Sequence, residues 1–212
     1  MTVIELFTSQ GCSACPAADS LLNELASRPD VLPLSEHVDY WDYLGWRDPF
    51  GRIENTQRQR GYAHRLGLSY VYTPQFVVHG ETQAVGKDRA AVLRLINEAK
   101  ARPARVDVGV ERRDDGGLSA RLEHTVLPSP ADVWLVRFDP THVTAVADGE
   151  NGGRSIKNVN VVRGFTLVGH WSGEAASLPL PEISPADNYA LLVQESNAGP
   201  ILGATRLQAP ER

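Results

Sequence analysis

The chain has 212 residues, 42% hydrophobic and 22% charged, with a formal net charge of −5. That suits a globular protein with a sizeable core, in one large domain or two small ones. The negative balance offers no broad attraction to nucleic acid or an anionic membrane, and no apolar stretch approaches the ~20 residues of a membrane-spanning helix.

A strand-like run begins at Val3 with no basic, apolar leader before it. The expectation is a cytoplasmic protein, or an exported one whose leader has been removed. Val3–Thr8 is nearly all apolar, as in a strand buried on both faces. Pro16–Arg28 reads as a helix: Ala18, Leu21, Leu22 and Leu25 share one stripe, and proline suits a first turn. Val31–Trp41 reads as a second strand, Trp46–Phe50 as an aromatic-rich loop, and Gly51–Leu66 as a polar helix stopped by Gly67. Gln75–His79 and Thr82–Val85 read as a hairpin. Asp88 then caps a last helix with Val92, Leu95, Ile96 and Ala99 on one stripe.

Pro103 marks a boundary. Beyond it come short alternating runs: 105–110, 118–126, 132–138, 142–147, 156–162, 165–171, 189–195 and 201–207. Gly, Pro, Asn and Asp clusters punctuate them, which is the texture of an antiparallel sandwich or barrel.

Cys12 and Cys15 are the chain's only cysteines. A bridge between them closes a tiny loop, so it constrains the unfolded chain little and is a poor staple. A structural zinc site normally needs four ligands, and no second pair exists. At a helix N-terminus, unpaired N–H groups and the helix dipole favour thiolate at Cys12, and Cys15 lies one turn on to resolve a mixed disulfide. A second reading is a soft-metal module binding Cu(I) through the two cysteines, with His37 as a candidate third ligand. A third is a non-catalytic binding protein whose dithiol senses redox state.

Tyr72-Thr73-Pro74-Gln75 stands directly before an apolar strand, where proline is usually unwelcome. A cis Thr73–Pro74 bond accommodates it. With Cys-x-x-Cys at a helix start, the order strand, helix, strand, helix, Thr-Pro, strand, strand, helix resembles the thioredoxin fold. The surplus at 41–60 reads as an insertion. ELFTSQGCSACPAAD, HVDYWDYLGWRDPF, RQRGYAH and VYTPQFVVHG, with ENGGR and NVVRGF later, resemble the thioredoxin-like bacterial family catalogued as domain of unknown function 1223. The resemblance implies an α/β thioredoxin-like domain at 1–102 and a mostly antiparallel, sandwich-like β domain at 103–212. It also implies a redox-active dithiol needing no organic cofactor, in a family whose members are often exported. The expected partner is a protein or small thiol or disulfide, with oligomeric state left open.

In that frame Cys12 attacks or is attacked, Cys15 resolves, and Pro74 shapes the groove beside the Thr73 backbone. If Val31–Trp41 is one strand, His37, Asp39 and Trp41 share a face. Asp39 is then a candidate proton relay to Cys15, with His37 beside it; the plainer reading bonds both to the loop backbone. Trp41 and Trp46 either line the groove or anchor the insertion. Arg52, Arg58, Arg60 and Arg65 read as a solvated helix face. The Asp148–Gly153 turn carries Asn151 and precedes Arg154, Asn158, Asn160 and Arg163. It is either an ordinary hairpin or one that leans over Cys12 and controls what reaches it.

Overall fold

The computed structural model describes residues 1–207, with three α-helices, a 3-10 turn and eleven strands among them. Residues 208–212, the end of the expected 103–212 region, lie outside the described residues.

Strand β1 (Thr2–Thr8) runs parallel to β2 (Val31–His37) on one side and antiparallel to β3 (Gln75–Val78) on the other. β4 (Thr82–Val85) completes a hairpin with β3. β1 is central because both its faces are apolar. Ile4 and Leu6 pack with α1 (Pro16–Leu25) and α3 (Arg89–Lys100), through Leu21, Leu22, Val92 and Ile96. Phe7 packs with Tyr62 of α2 (Ile53–Arg65), Val38 and Val77. The Asp88 carboxylate caps α3 by accepting from Ala91 N–H at 2.9 Å.

Helix α2 is docked largely by polar contacts. Asn55 donates to His37 O at 2.9 Å, and Gln59 Nε2 donates to Tyr72 O and Gln75 Oε1 at 2.7 and 2.9 Å. Its polar sequence therefore belongs to a partly buried face, and Arg58, expected on a solvated one, lies mostly buried.

The second half is all strand among the described residues, with β5 (Val108–Arg112), β6 (Leu118–Leu122), β7 (Ala131–Ala145), β8 (Ser155–Trp171), β9 (Ala176–Pro179), β10 (Asn188–Glu195) and β11 (Ile201–Leu207). Four of the expected short runs merge into the long β7–β8 hairpin, because the ladder continues past Pro140 and Gly164 with register shifts at Val133/Trp134 and Arg137/Phe138. β9 was not expected from sequence.

One sheet crosses both halves in the order β11-β10-β7-β8-β2-β1-β3-β4, and β5-β6-β9 form a second. The junction is brief: Ser35 of β2 pairs with Val161 of β8. Beside it Asn160, at φ 47°, turns its side chain to donate to Pro33 O at 2.8 Å. The three-stranded sheet covers Val133, Leu135, Leu191 and Val193. The alternate residues Val136, Phe138, Ala190 and Leu192 pack on the opposite face with Val3, Leu32 and Leu34. Strands buried on both faces explain the unbroken apolar runs of β7 and β10. Among the described residues no helix is long and apolar enough to cross a membrane.

Candidate functional site

After Thr8 the chain turns back on itself, with Cys12 N–H donating to Ser9 O at 3.1 Å. A second turn brings Cys15 N–H to Cys12 O at 3.1 Å, and Cys15 then caps α1 with Pro16 first in the helix. A missing N–H is tolerated there because first-turn donors have no helical acceptor. These turns set the two Cα atoms 5.4 Å apart, and Cys12 and Cys15 are joined as a disulfide. Cys12 is 1% exposed and Cys15 0%, so the bond is covered.

Three expected groove residues stand at this end of β1. A β-carbon on Gly11 would lie 3.2 Å from Trp41 Cβ, so the turn runs close against Trp41. Trp41 Nε1 donates to Thr73 Oγ1 at 2.8 Å, linking the cysteine turn to the Thr73–Pro74 segment. Trp46 Nε1 donates to Gln10 Oε1 at 3.2 Å. The Thr73–Pro74 bond is cis. Pro74 meets α1 across Gly86, where a β-carbon would lie 2.7 Å from Pro74 Cβ and 2.8 Å from Ala18 Cβ.

His37 and Asp39 part company. The strand expected to reach Trp41 stops at His37, so the alternation that put His37, Asp39 and Trp41 on one face ends there. His37 Nδ1 lies 2.7 Å from Asp48 Oδ2, which also accepts from Gln10 N–H at 2.7 Å. Burial pulls the His37 pKa down, but the charge and hydrogen bond of Asp48 outweigh it and hold it above the ordinary value. Burial likewise pushes Asp48 up, while His37 and the backbone donors leave it lower than usual. Each partner thus favours the charged form of the other. Asp39 instead meets α2, accepting from Thr56 Oγ1 at 2.6 Å. Among the described residues, no group of three or more His, Cys, Asp or Glu side chains could hold a metal ion.

Sequence reasoning passed over Asp19, one turn after Cys15 on α1. Its N–H donates to Cys15 O at 3.0 Å, and its buried carboxyl accepts from Thr8 Oγ1 at 3.0 Å. Burial pushes its pKa up to about 7, against the pull of the nearby His37 charge and the Thr8 hydrogen bond. The signal was an acid standing between Cys15 and Leu22, spaced to fall on the helix's apolar side.

The β7–β8 hairpin reaches over from the second half. Asn151 Nδ2 donates to the carbonyls of Gln10 and Cys12, both at 2.9 Å. Ser13 N–H donates to Glu150 Oε2 at 3.0 Å, and the Ser13 side chain together with that N–H holds Glu150 below its usual pKa. Gln10 Nε2 donates to Asn158 Oδ1 at 3.1 Å. Of the two readings of this turn, the contact with the Cys12 segment is the one realised.

A second polar cluster lies between β1, β2 and α2. Arg58 Nε donates to Glu5 Oε1 at 2.5 Å, and Tyr62 donates to Glu5 Oε2 at 2.5 Å. Glu36 is fully buried 3.6 Å from Arg58, and among the described residues neither of its oxygens has a hydrogen-bond partner. Burial and then the Glu5 charge push its pKa well above the usual value. A cavity of about 400 Å³ opens elsewhere, by the start of β1, lined by residues including Asp30, His79, Glu81 and Lys100. None of the candidate site residues lines it.

Fold and site together define a mixed α/β protein whose central sheet carries a covered Cys-x-x-Cys disulfide. The chain belongs to the family described as "Protein of unknown function (DUF1223)", which it matches over residues 3–194. It is similar to the X-ray crystal structure of protein AGR_C_4864 from Agrobacterium tumefaciens, with 33% identity and a TM-score of 0.83, covering 100% of this chain and 95% of that one. A more distant likeness is to HBP35 of Porphyromonas gingivalis, with 14% identity and a TM-score of 0.62, over 99% of this chain and 75% of that one. That second likeness concerns the fold alone. No curated protein matches the chain.

Proposed function

We propose that the protein is a thiol–disulfide oxidoreductase in which Cys12 and Cys15 are the working couple, on a thioredoxin-like arrangement of residues 1–102. The observation that carries this reading is the position of the disulfide. It lies between a strand end and a helix N-terminus, one turn from a buried carboxyl with a pKa raised to about 7. So short a loop stabilises the fold little, whereas a helix N-terminus stabilises a departing thiolate. The strand order β2-β1-β3-β4 and the packing of Pro74 toward α1 support the thioredoxin-like reading.

In the proposed chemistry a substrate thiolate attacks Cys12 Sγ, the Cys12–Cys15 bond breaks, and Cys15 leaves as thiolate. Asp19, ionising near neutrality, is the group suited to give Cys15 its proton. A second substrate thiolate then attacks the substrate sulfur of the mixed disulfide and releases Cys12. The substrate dithiol loses two electrons and two protons, and the protein gains them. The reverse sequence reduces a substrate disulfide, and the partner's potential sets the direction. Asp39 keeps Thr56 as its partner in this scheme. Trp41 and Thr73 form the groove wall, and Trp46 steadies the Gln10 turn.

The test is multiple-turnover reduction of a small disulfide such as glutathione disulfide by dithiothreitol. The wild type accelerates it and Cys12→Ser does not; equal rates would sink the assignment. Anaerobic Cu(I) titration against a chelator separates the metal reading, which requires tight, cysteine-dependent binding without exchange activity.

A further inference from the structure

We infer that the β7–β8 tip, residues 147–154, is a latched cover over the disulfide, with Glu150 and Asn151 as the latch that keeps polypeptide thiols from Cys12. This rests on the oxidoreductase reading, since it concerns access to the same bond. Exchange requires a third sulfur to approach along the axis of the disulfide. With Cys12 at 1% and Cys15 at 0% exposure, that approach is closed until something moves.

The neighbours differ in how readily they can move. α1 is held by the core through Leu21, Leu22 and Leu25, and the Trp41 segment is tied to Thr73. The tip is held differently. From Ala147 to Ser155 its one buried residue is Asn151, a polar side chain that water can satisfy. Its links to the cysteine turn are the two Asn151 bonds to Gln10 O and Cys12 O and the Glu150 bond to Ser13 N–H. Gly149 and Gly153, at φ 72° and 79°, supply turns that side-chain-bearing residues adopt poorly. Gly149 rests against Trp46, where a β-carbon would lie 3.0 Å from Trp46 Cβ; apart from that contact, lifting the tip uncovers little apolar surface and exchanges three hydrogen bonds for water.

The latch also carries charge. The Glu150 carboxylate occupies the Ser13 N–H ahead of α1 and brings a negative charge beside the position of a Cys12 thiolate, disfavouring it. Displacing the tip removes that charge and bares the sulfur together, so access and reactivity rise in one motion. Cys12 is then left beside Gly11, with Trp41 and Thr73 close by, where an extended polypeptide segment can meet it.

The test uses full-length Cys15→Ala protein, so that Cys12 is the single thiol. The probe is a maleimide bearing a long polyethylene glycol chain, and the readout is its rate of attachment. Adding Asn151→Ala is expected to raise that rate roughly tenfold, the effect of removing two hydrogen bonds of modest net strength from the closed state alone. Glu150→Ala, at an exposed position that leaves the fold intact, is expected to raise it several-fold and to lower the pH at which labelling sets in. Circular dichroism and urea midpoints confirm that both variants are folded. Unchanged labelling rates in both folded variants overturn the cover. Labelling does not depend on catalysed exchange, so a failure of the oxidoreductase reading appears in the glutathione assay instead.

Discussion

Asp19 sits among Ala18, Leu21 and Leu22 with the Thr8 hydroxyl as a hydrogen-bond donor. Because its folded pKa of about 7 exceeds the unfolded value, the native state binds more protons than the unfolded chain between the two. Stability therefore falls as pH rises from about 4 to about 7, by on the order of 4 kcal/mol. Asn keeps the acceptor for Thr8 and cannot ionise. The stability of Asp19→Asn relative to wild type, from urea unfolding, should rise across that interval and level off above it. On the proposed chemistry the same variant should slow exchange, since it removes the group assigned to protonate Cys15. Arg58 is the other decisive residue, because it is the cation facing both Glu5 and Glu36. Arg58→Met leaves those carboxylates uncompensated and should cost about 3–5 kcal/mol in chemical denaturation. Glu36→Gln, which puts a neutral amide where burial and the Glu5 charge already push the carboxyl well above its usual pKa, should cost far less. The Arg58 cluster was not legible from spacing. Arg58 looked like one of four arginines on a solvated face, and only the packing of α2 against β1 and β2 shows otherwise.

At the scale of elements, Pro16, the apolar stripes of α1 and α3 and the Asp88 cap made those helices readable, because local chemistry and burial agree. Two readings failed for tertiary reasons. The strand at Val31 stops at His37 because the following segment turns to meet α2 and Asp48. The runs broken by Pro140 and Gly164 are single strands because register shifts absorb the interruptions. Asn160 is the element-scale pivot, its side chain extending a junction in which β2 and β8 share one residue pair. Asn160→Ala leaves the Pro33 carbonyl without that donor and puts at positive φ a residue that tolerates the left-handed region less well than asparagine. It should cost about 2 kcal/mol in urea unfolding, whereas Asn158→Ala should disturb the Gln10 turn more than the sheet.

For the whole molecule, the change of texture at Pro103 was visible in sequence, but the way β8 docks beside β2 was not. It depends on surfaces roughly a hundred residues apart. Val3, Leu32 and Leu34 share a core with Val136, Phe138 and Leu192, and one sheet spans both halves. Heating should therefore give one calorimetric transition, and a 1–102 fragment should bind hydrophobic dyes; two resolved transitions would contradict the shared core. The same docking brings Asn151 to the Cys12 carbonyl, so the candidate site joins residues from both halves. The cysteine pair and Pro74 were legible because their chemistry is local; Asp19, Asp48 and Glu150 depend on the fold around them. The claim that Cys12 and Cys15 form a working couple is tested most directly by redox titration, following the thiol–disulfide ratio against glutathione or dithiothreitol buffers. The account predicts a reversible two-electron transition dependent on both cysteines, between roughly −120 and −270 mV, where dithiol oxidoreductases operate. A midpoint below about −300 mV, in the range of structural disulfides, would contradict it.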